Sequence, residues 1–401
     1  MGYEPRSIVP GALDSDPTNA FSAVWAPTRR HVTQIAVWDL GVRLFHWLLV
    51  GAVVAAFVTG LFAPKPWLDA HVIFGTAVAA LIVFRGIWGF TGSQHARFAS
   101  FVVGPGAAIR YLRTLLAGRA SNHIGHNPLG AIMIVALLLA LGLLTATGLV
   151  ALGGELKQGP FAPFTNFATG HGAKTIHELV AYGLLGLIVL HVAGVAIESL
   201  RIRENLVRAM LTGRKPIVGP RPARVTVPAR PRLAAAIFAV IAIGTVPWIV
   251  HFAQQPGLGT PTAPLDAVYA KECGACHSTY HPSLAPAATW QAIFAGLDDH
   301  FGDNASLDGA LAARLLGYLT ANSAEQWDTK AANFFRLPDA AEPLRITASS
   351  AWKRTHRRIP EAAFGIKAVA GKFNCSACHT DAPSGRFSPQ AIATPKERTT
   401  P

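Results

Sequence analysis

Two pairs of cysteines, each followed by a histidine, carry the clearest chemical signal in the sequence. The first motif consists of Cys273, Cys276 and His277, and the second of Cys375, Cys378 and His379. Two thiols three positions apart can bond both vinyl groups of one porphyrin, and the histidine that follows then faces the iron. The pattern C-x-x-C-H therefore predicts two covalent c-type haems. A zinc site or a dithiol redox pair is the alternative, but neither requires a histidine directly after each pair.

The second iron ligand of these haems can be argued by elimination. Methionine and histidine are the usual choices, and the three methionines of the chain lie outside this region. The spare histidines here are His281, His300 and His356. We favour His300 and His356, with His281 as the competitor. Because His281 lies only four residues after His277, it is better placed to reach the other haem than the one attached beside it. One five-coordinate haem that binds a small ligand is the open alternative.

The elements that must position these groups include several membrane spans. The chain of 401 residues is 51% hydrophobic and only 14% charged, which is too apolar for an ordinary soluble protein. Apolar stretches close to the length of about 20 residues that a bilayer requires fall at 42–63, 71–90, 128–152, 176–198 and 233–252. The stretch 101–117 is short and carries two arginines, so we expect a loop there, or a helix lying on the membrane surface.

The basic residues predict how the spans are oriented. The net charge is +13, and residues 1–252 hold 21 lysines and arginines against 9 acidic residues. These basic residues concentrate before the first span, between the second and third, and between the fourth and fifth. Such segments stay in the cytoplasm. The N-terminus is then cytoplasmic and the C-terminal region periplasmic in a bacterial inner membrane, so the basic excess indicates topology and membrane lipid, and no nucleic acid partner.

Histidines are the commonest ionisable residues in these spans, where such residues are costly and usually functional. His46 lies in the first span, His71 begins the second, and the fourth contains His177 and His191. On an α-helix, His177 and His191 point in directions that differ by about 40°, so they share one helix face, and they lie about 21 Å apart along the helix axis. Matched depths predict two b-type haems, one between His46 and His191 and one between His71 and His177. Arg43 is a candidate partner for a haem propionate, or a cytoplasmic anchor; His71 alone could be an interfacial residue reaching water.

These observations predict an all-α protein: an integral membrane four-helix di-haem bundle, a fifth transmembrane helix and a small, mainly α, periplasmic di-haem domain. We place a cytoplasmic tail at 1–35, the bundle at 36–215, a linker containing the fifth helix (233–252) at 216–264, the di-haem domain at 265–392 and a second tail at 393–401. Helical patterns at 287–297 and 307–321 support the assignment of the last domain.

Several segments of the bundle resemble the bacterial cytochrome b561 and nickel-iron-hydrogenase b-type cytochrome family. They are VWDL at 37–40, RLFHW at 43–47, GHNPLG at 125–130, LHVAG at 190–194 and RENLVRAM at 203–210. The resemblance implies a di-haem bundle that exchanges electrons with quinones or redox partners, and its ligand pattern falls on His46, His71, His177 and His191. Residues 265–392 resemble bacterial di-haem cytochrome c domains, through the two cysteine motifs, GLDDHFG at 296–302 and WKRTHRRI at 352–359. Finding both in one chain departs from the usual separate subunits.

The function predicted is transmembrane electron transfer, from a membrane quinol through two haem b groups and two haem c groups to a periplasmic redox protein. A quinone is then a further bound molecule. A haem enzyme, reducing or oxidising a small molecule at an open c haem, is one alternative. A cytochrome anchor subunit of a hydrogenase or dehydrogenase complex is the other.

Overall fold

The computed structural model describes residues 32–119, 123–218, 230–393 and 395. The tail predicted at 1–35 lies almost wholly outside the described residues, as do most of the proline-rich segment before the fifth span and the end of the chain. The described part is mostly helical and carries five helices long and apolar enough to cross a membrane. The prediction of an all-α membrane protein is therefore confirmed.

Among the residues that the structure describes, the membrane part has seven α-helices and two short strands. These elements are β1 (Val32–Ala36), α1 (Leu40–Leu61), α2 (Leu68–Thr91), α3 (Pro105–Leu116), α4 (Pro128–Glu155), α5 (Phe167–Ile202), α6 (Leu206–Thr212), β2 (Arg214–Val218) and α7 (Pro231–Ala253). Helices α1, α2, α4, α5 and α7 cover the five predicted spans. Helix α1 packs on α2, and α4 packs on both α2 and α5. The fifth long helix joins this bundle, because the ring of Phe238 stacks on Phe84 with 3.8 Å between centroids.

Side-chain caps fix where these helices begin. Asp39 accepts a hydrogen bond of 2.8 Å from the Val42 amide at the start of α1. Asn127 and Asn166 do the same for α4 and α5, each at 2.8 Å. Such caps satisfy amides that the first helical turn would otherwise leave without a partner in an apolar environment. The caps therefore help to set the heights of His46 on α1 and of His177 and His191 on α5.

The end of the bundle where α1 begins and α5 ends is called the N-terminal end. Here β1 and β2 pair antiparallel, with Gln34 opposite Pro216, and α3 forms a short helix packed on α4. The sequence analysis did not predict the strands. For the segment 101–117 it offered a loop or a surface helix, and the structure has a helix in most of that segment.

The C-terminal domain is built from short helices around a small core. They are α8 (Ala267–Cys273), α9 (Ala287–Ala295), α10 (Gly309–Ala321), α11 (Lys330–Phe335), α12 (Ser350–His356) and α13 (Ala362–Gly365). Helices α9 and α10 match the two predicted helical patterns. Tyr269, Trp290, Leu315 and Leu319 form the core and are almost fully buried. The first cysteine motif begins at the last residue of α8, and the second begins in the short helix Cys375–Ala377.

The C-terminal domain packs against the opposite end of the bundle, which we call the C-domain end. This end is formed by the α1–α2 connection (62–67) and the α4–α5 connection (156–166). The carboxylate of Asp328 binds the Lys157 ammonium at 2.6 Å and accepts from the Phe167 amide at 2.7 Å. Lys330 forms a second ion pair with Glu155 at 2.5 Å. The two parts of the chain are thus joined by charged contacts at one defined end.

Candidate haem sites

Two imidazoles face each other near the C-domain end of the bundle. The ring centroids of His71 and His177 lie 6.1 Å apart. An iron bound by two imidazoles at about 2 Å from each nitrogen requires about 6 Å between ring centroids. Nδ1 of His71 donates to the carbonyl of Ala56 at 2.9 Å, and Nδ1 of His177 donates to that of Leu144 at 3.0 Å. These bonds leave Nε2 of both rings unprotonated and available to a metal.

Two glycines that the sequence analysis did not single out make room for these rings. A Cβ atom at Gly60 would lie 3.0 Å from the His71 ring, and one at Gly148 would lie 3.1 Å from the His177 ring. By contrast, a Cβ atom at Gly75 or Gly194 would meet nothing within 4 Å. Each of the latter glycines shares a helix face with a candidate ligand. Close helix packing therefore does not explain these two glycines.

The second predicted pair lies towards the N-terminal end. His191 is 14 positions beyond His177 on α5, which separates the two by about 21 Å along the helix axis. The pairing of His46 with His191 stays a prediction. The Nδ1 atom of His46 is buried and has no hydrogen-bond partner in the described residues. The Arg43 guanidinium donates to the carbonyl of Leu211, so its observed contact is structural and the propionate contact stays a prediction.

The first cysteine motif of the C-terminal domain faces His300. The ring centroids of His277 and His300 lie 6.4 Å apart, and Nδ1 of His277 donates to the carbonyl of Ser278 at 2.8 Å. Burial raises the pKa of the Cys273 thiol to about 11. Reactive dithiols need lowered pKa values, so this environment disfavours the dithiol alternative and is compatible with thioether attachment.

The second cysteine motif is arranged in the same way around His356. The ring centroids of His356 and His379 lie 6.2 Å apart. Nδ1 of His356 donates to the carbonyl of Trp352 at 3.0 Å, and the rings of His356 and Trp352 stack on each other. The Cys375 thiol is again buried, which raises its pKa to about 11. Both c-type motifs are thus opposed by a second imidazole at the distance that a six-coordinate iron requires.

His281, the competing candidate for the second ligand, has a different role. Its side chain is buried, and its Nδ1 accepts hydrogen bonds from the amide of Ser283 at 3.2 Å and from the Ser283 hydroxyl at 2.8 Å. An imidazole that accepts at Nδ1 carries its proton at Nε2 and offers no lone pair there. Burial also lowers its pKa to about 4, so the ring is neutral. The expectation that His281 competes with His300 and His356 is therefore not supported, because His281 caps the short helix Pro282–Leu284.

Comparison with known proteins assigns both halves of the chain. Residues 37–213 match the model of the prokaryotic cytochrome b561 family, and residues 269–387 match that of the dihaem cytochrome c family. The chain joins a prokaryotic cytochrome b561 domain to a dihaem cytochrome c domain. The families imply haem b in the first domain and haem c in the second. The predicted resemblance is thus confirmed.

Relatives of the b561 domain are known from several bacteria. A probable Ni/Fe-hydrogenase B-type cytochrome subunit of Azotobacter chroococcum mcd 1 is 26% identical over 224 residues, covering 48% of this chain and 93% of the relative. A probable Ni/Fe-hydrogenase 1 B-type cytochrome subunit of Escherichia coli K12 is 26% identical over 210 residues, covering 44% and 88%. These relatives align with less than half of the chain, so they do not account for the dihaem domain.

Solved structures similar to the dihaem domain come from two bacteria. The crystal structure of DHC purified from Rhodobacter sphaeroides is 34% identical, covers 31% of this chain and 98% of its own, and has a TM-score of 0.25. The X-ray structure of the dihaem cytochrome c of Shewanella baltica OS155 is 35% identical, covers 33% and 95%, and has a TM-score of 0.27.

A buried polar cluster at the N-terminal end of the b561 domain was missed by the sequence analysis. Asp39 accepts from the Trp88 indole at 3.2 Å and from the Ser93 hydroxyl at 2.5 Å. The His126 ring lies 4.6 Å from that of Trp38, and burial, together with the charge of Arg85, lowers its pKa to about 3. The aromatic residues on both sides of the loop were the available signal for burial.

Proposed function

We propose that the chain carries electrons across a bacterial inner membrane, from a quinol to a redox protein on the periplasmic side. The observation that carries this proposal is the set of three histidine pairs with ring centroids 6.1, 6.2 and 6.4 Å apart. A haem iron held in this way carries one electron by changing between the ferrous and ferric states. With a fourth pair at His46 and His191, the chain would hold two b-type and two c-type haems.

The protein's own residues would tune this chemistry by holding the imidazoles. Carbonyl oxygens of Ala56, Leu144, Ser278 and Trp352 accept from Nδ1 of four candidate ligands. Such bonds fix the tautomer and ring orientation and increase the basicity of Nε2. Because a second imidazole favours ferric iron more than a methionine thioether does, we expect low potentials at all four sites. Low potentials require a quinol of low potential as the donor and an acceptor of equal or higher potential.

The orientation of the chain is part of the proposal. The N-terminal end of the bundle carries two groups of arginines. The α2–α4 connection holds Arg97, Arg110, Arg113 and Arg119, and the segment from the end of α5 to the start of β2 holds Arg201, Arg203, Arg208 and Arg214. The C-domain end holds few basic residues. Among them, Lys157 lies in the α4–α5 connection and Lys174 lies near the start of α5, and both side chains approach carboxylates. Under the positive-inside rule, the N-terminal end faces the cytoplasm. The dihaem cytochrome c domain would then lie in the periplasm, where c-type haems are attached.

Haem content and ligand replacement test the proposal. A pyridine haemochrome assay should give two b and two c haems for the purified chain. His177→Leu and His191→Leu should each remove one b haem, because a single helix serves both sites. His171→Asn, on the same helix but outside the pairs, is the control and should keep both. A chain with a single b haem, or full b-type absorption in both Leu variants, would contradict the proposed ligands.

A second candidate function is supported by the relatives. Their names describe probable cytochrome subunits of Ni/Fe-hydrogenases, so this chain could accept electrons from a hydrogenase or another membrane-associated dehydrogenase in place of a quinol. Mild solubilisation followed by co-purification tests this directly. A large hydrogenase partner recovered in stoichiometric amount would favour the subunit role. Rapid reduction of both b haems by quinol, in a preparation free of such a partner, would favour the first proposal.

A further inference from the structure

One short segment of the dihaem domain contacts the b561 domain directly. The side-chain amide of Gln390 donates to Asp69 at 2.9 Å and to Gln158 at 3.0 Å. Gln390 lies in the short helix Pro389–Ala391, which packs on Lys65–Trp67 and on α2. Asp69 precedes His71, a candidate ligand of the nearer b haem, by two residues. The segment around Gln390 therefore rests beside the b-haem site at the C-domain end.

The same segment holds the second c-type motif. The Thr380 amide donates to the carbonyl of Ala391 at 3.0 Å, and the Ala393 amide donates to that of Cys378 at 2.8 Å. Between these bonds, His379 and Ile392 form a β-bridge. The motif that ends in His379 is therefore connected to Asp69 by one side-chain contact and one stretch of paired backbone. This route is short and continuous.

The first c-type motif is connected to the second one. The Ser278 hydroxyl donates to the Asn374 side chain at 2.7 Å, and the Tyr280 hydroxyl donates to the Phe373 carbonyl at 2.6 Å. Ser278 follows His277 directly, and Asn374 precedes Cys375 directly. The second motif thus has contacts in two directions, towards the membrane domain and towards the first motif.

The position of the dihaem domain is fixed by ion pairs with buried members. The side chains of Lys157 and Glu155 are each only 3% exposed and pair with Asp328 and Lys330. The Arg386 guanidinium donates to the Lys157 carbonyl at 3.3 Å. Lys157 also adopts a φ of 56°, a conformation that costs a non-glycine residue energy and persists only where surrounding contacts hold it. Such contacts define one docked orientation.

From this arrangement we infer that the second c-type motif receives electrons from the b561 domain and that the first motif passes them to the external partner. The inference rests on the proposed electron-transfer function and adds an order to it. In each step one electron leaves a ferrous iron, which becomes ferric, and reduces the next ferric iron to ferrous. The sequence of ligand pairs is His71 with His177, then His379 with His356, then His277 with His300. No bond forms or breaks, and no proton is needed.

Removing each c haem separately tests the order. Cys375→Ser with Cys378→Ser should abolish attachment at the second motif, and Cys273→Ser with Cys276→Ser at the first. Each full-length variant is placed in lipid nanodiscs, and the b and c absorption bands are followed after mixing with a reduced quinol. We expect the remaining c haem to stay oxidised in the first variant and to be reduced at the unaltered rate in the second. The opposite pattern would overturn the inference.

Two further variants keep all four haems and so avoid dependence on folding without a haem. His356→Met and His300→Met each give one c haem a distinguishable spectrum and a higher potential. Electrons should leave the b haems faster in His356→Met, because the altered haem is their direct acceptor and its potential is higher, and at the unaltered rate in His300→Met. Faster transfer in His300→Met with an unaltered rate in His356→Met would refute the inference. If quinol fails to reduce the b haems of the unaltered chain, only the proposed quinol donor is refuted. The order of transfer can still be measured, because a photochemical reductant can then reduce the b haems instead.

A haem-independent measurement tests the docked orientation itself. Asp69→Cys combined with Gln390→Cys should form a disulfide in the oxidising periplasm, identified by mass spectrometry of unreduced peptides. Asp69→Cys combined with Ser306→Cys, an exposed position of the dihaem domain, is the matched control and should not. Cross-linking only in the control pair, or in neither pair, would contradict the contact on which the order depends.

Discussion

Replacing Asp328 by asparagine should release the dihaem domain from the membrane domain. The Asp328 carboxylate binds the Lys157 ammonium at 2.6 Å, and the Lys157 side chain is only 3% exposed. Removing one partner of a buried ion pair costs about 3–5 kcal/mol, because the other charge is left buried. The Asp328 side chain is 28% exposed, and Lys157 keeps a bond of 3.1 Å to the Thr165 carbonyl. We therefore expect a loss below that range, about 2–3 kcal/mol.

A loss of this size would weaken docking by about 30-fold to 150-fold. Two measurements on the full chain in nanodiscs would detect it. Protease cleavage of the connection at 254–265 should accelerate, and electron transfer from the b haems to the c haems should slow. Asp298→Asn, at an exposed aspartate of the same domain, is the matched control. Lys157→Met combined with Asp328→Asn should recover part of the loss, because no unpaired charge then remains. If Asp328→Asn resembles the control in both measurements, the ion pair does not hold the domains together.

Three further outcomes test individual sites. Gly148→Val should displace the His177 ring, which lies only 3.1 Å from the added Cβ, and should therefore remove one b haem. Gly142→Val is the control and should keep both b haems, because a Cβ at Gly142 meets nothing within 4 Å. His281→Leu should keep both c haems low-spin, whereas His300→Leu should make one high-spin and able to bind carbon monoxide. Burial lowers the pKa of His126 in the folded chain to about 3. Between about pH 6.5 and 3 this histidine therefore binds protons in the unfolded chain but not in the folded one, so the stability of the fold decreases as the pH decreases. His126→Phe should therefore show a smaller loss of melting temperature from pH 7 to pH 5.

The features that sequence predicted are those encoded by local patterns. Long apolar runs predicted all five membrane helices, because a bilayer requires a continuous apolar length. The spacing of 14 between His177 and His191 follows from helix geometry alone. The two C-x-x-C-H motifs are local in the same sense, and elimination of methionine led to the histidines that oppose His277 and His379.

The features that sequence did not predict depend on contacts between distant segments. The pairing of β1 with β2 joins residues that are about 180 positions apart. The choice between His281 and His300 depends on Ser283, whose amide and hydroxyl occupy the Nδ1 atom of His281. Gly60 and Gly148 acquire meaning only when the rings of the neighbouring helices lie against them. None of these contacts produces a periodic pattern or a fixed spacing of residues that a single sequence would show.

The tether between the two domains explains why polar contacts suffice to hold them together. Helix α7 packs on the bundle through Phe238 and Phe84, and the chain beyond it is bound immediately, because the Leu258 amide donates to the Ala162 carbonyl at 2.8 Å. The Asp328 amide donates to the carbonyl of Gly259 at 2.8 Å, directly beside the ion pair with Lys157. A small polar interface between separate proteins would be weak and transient. Within one chain the same contacts form at a high effective concentration, so electron transfer between the domains does not depend on diffusion.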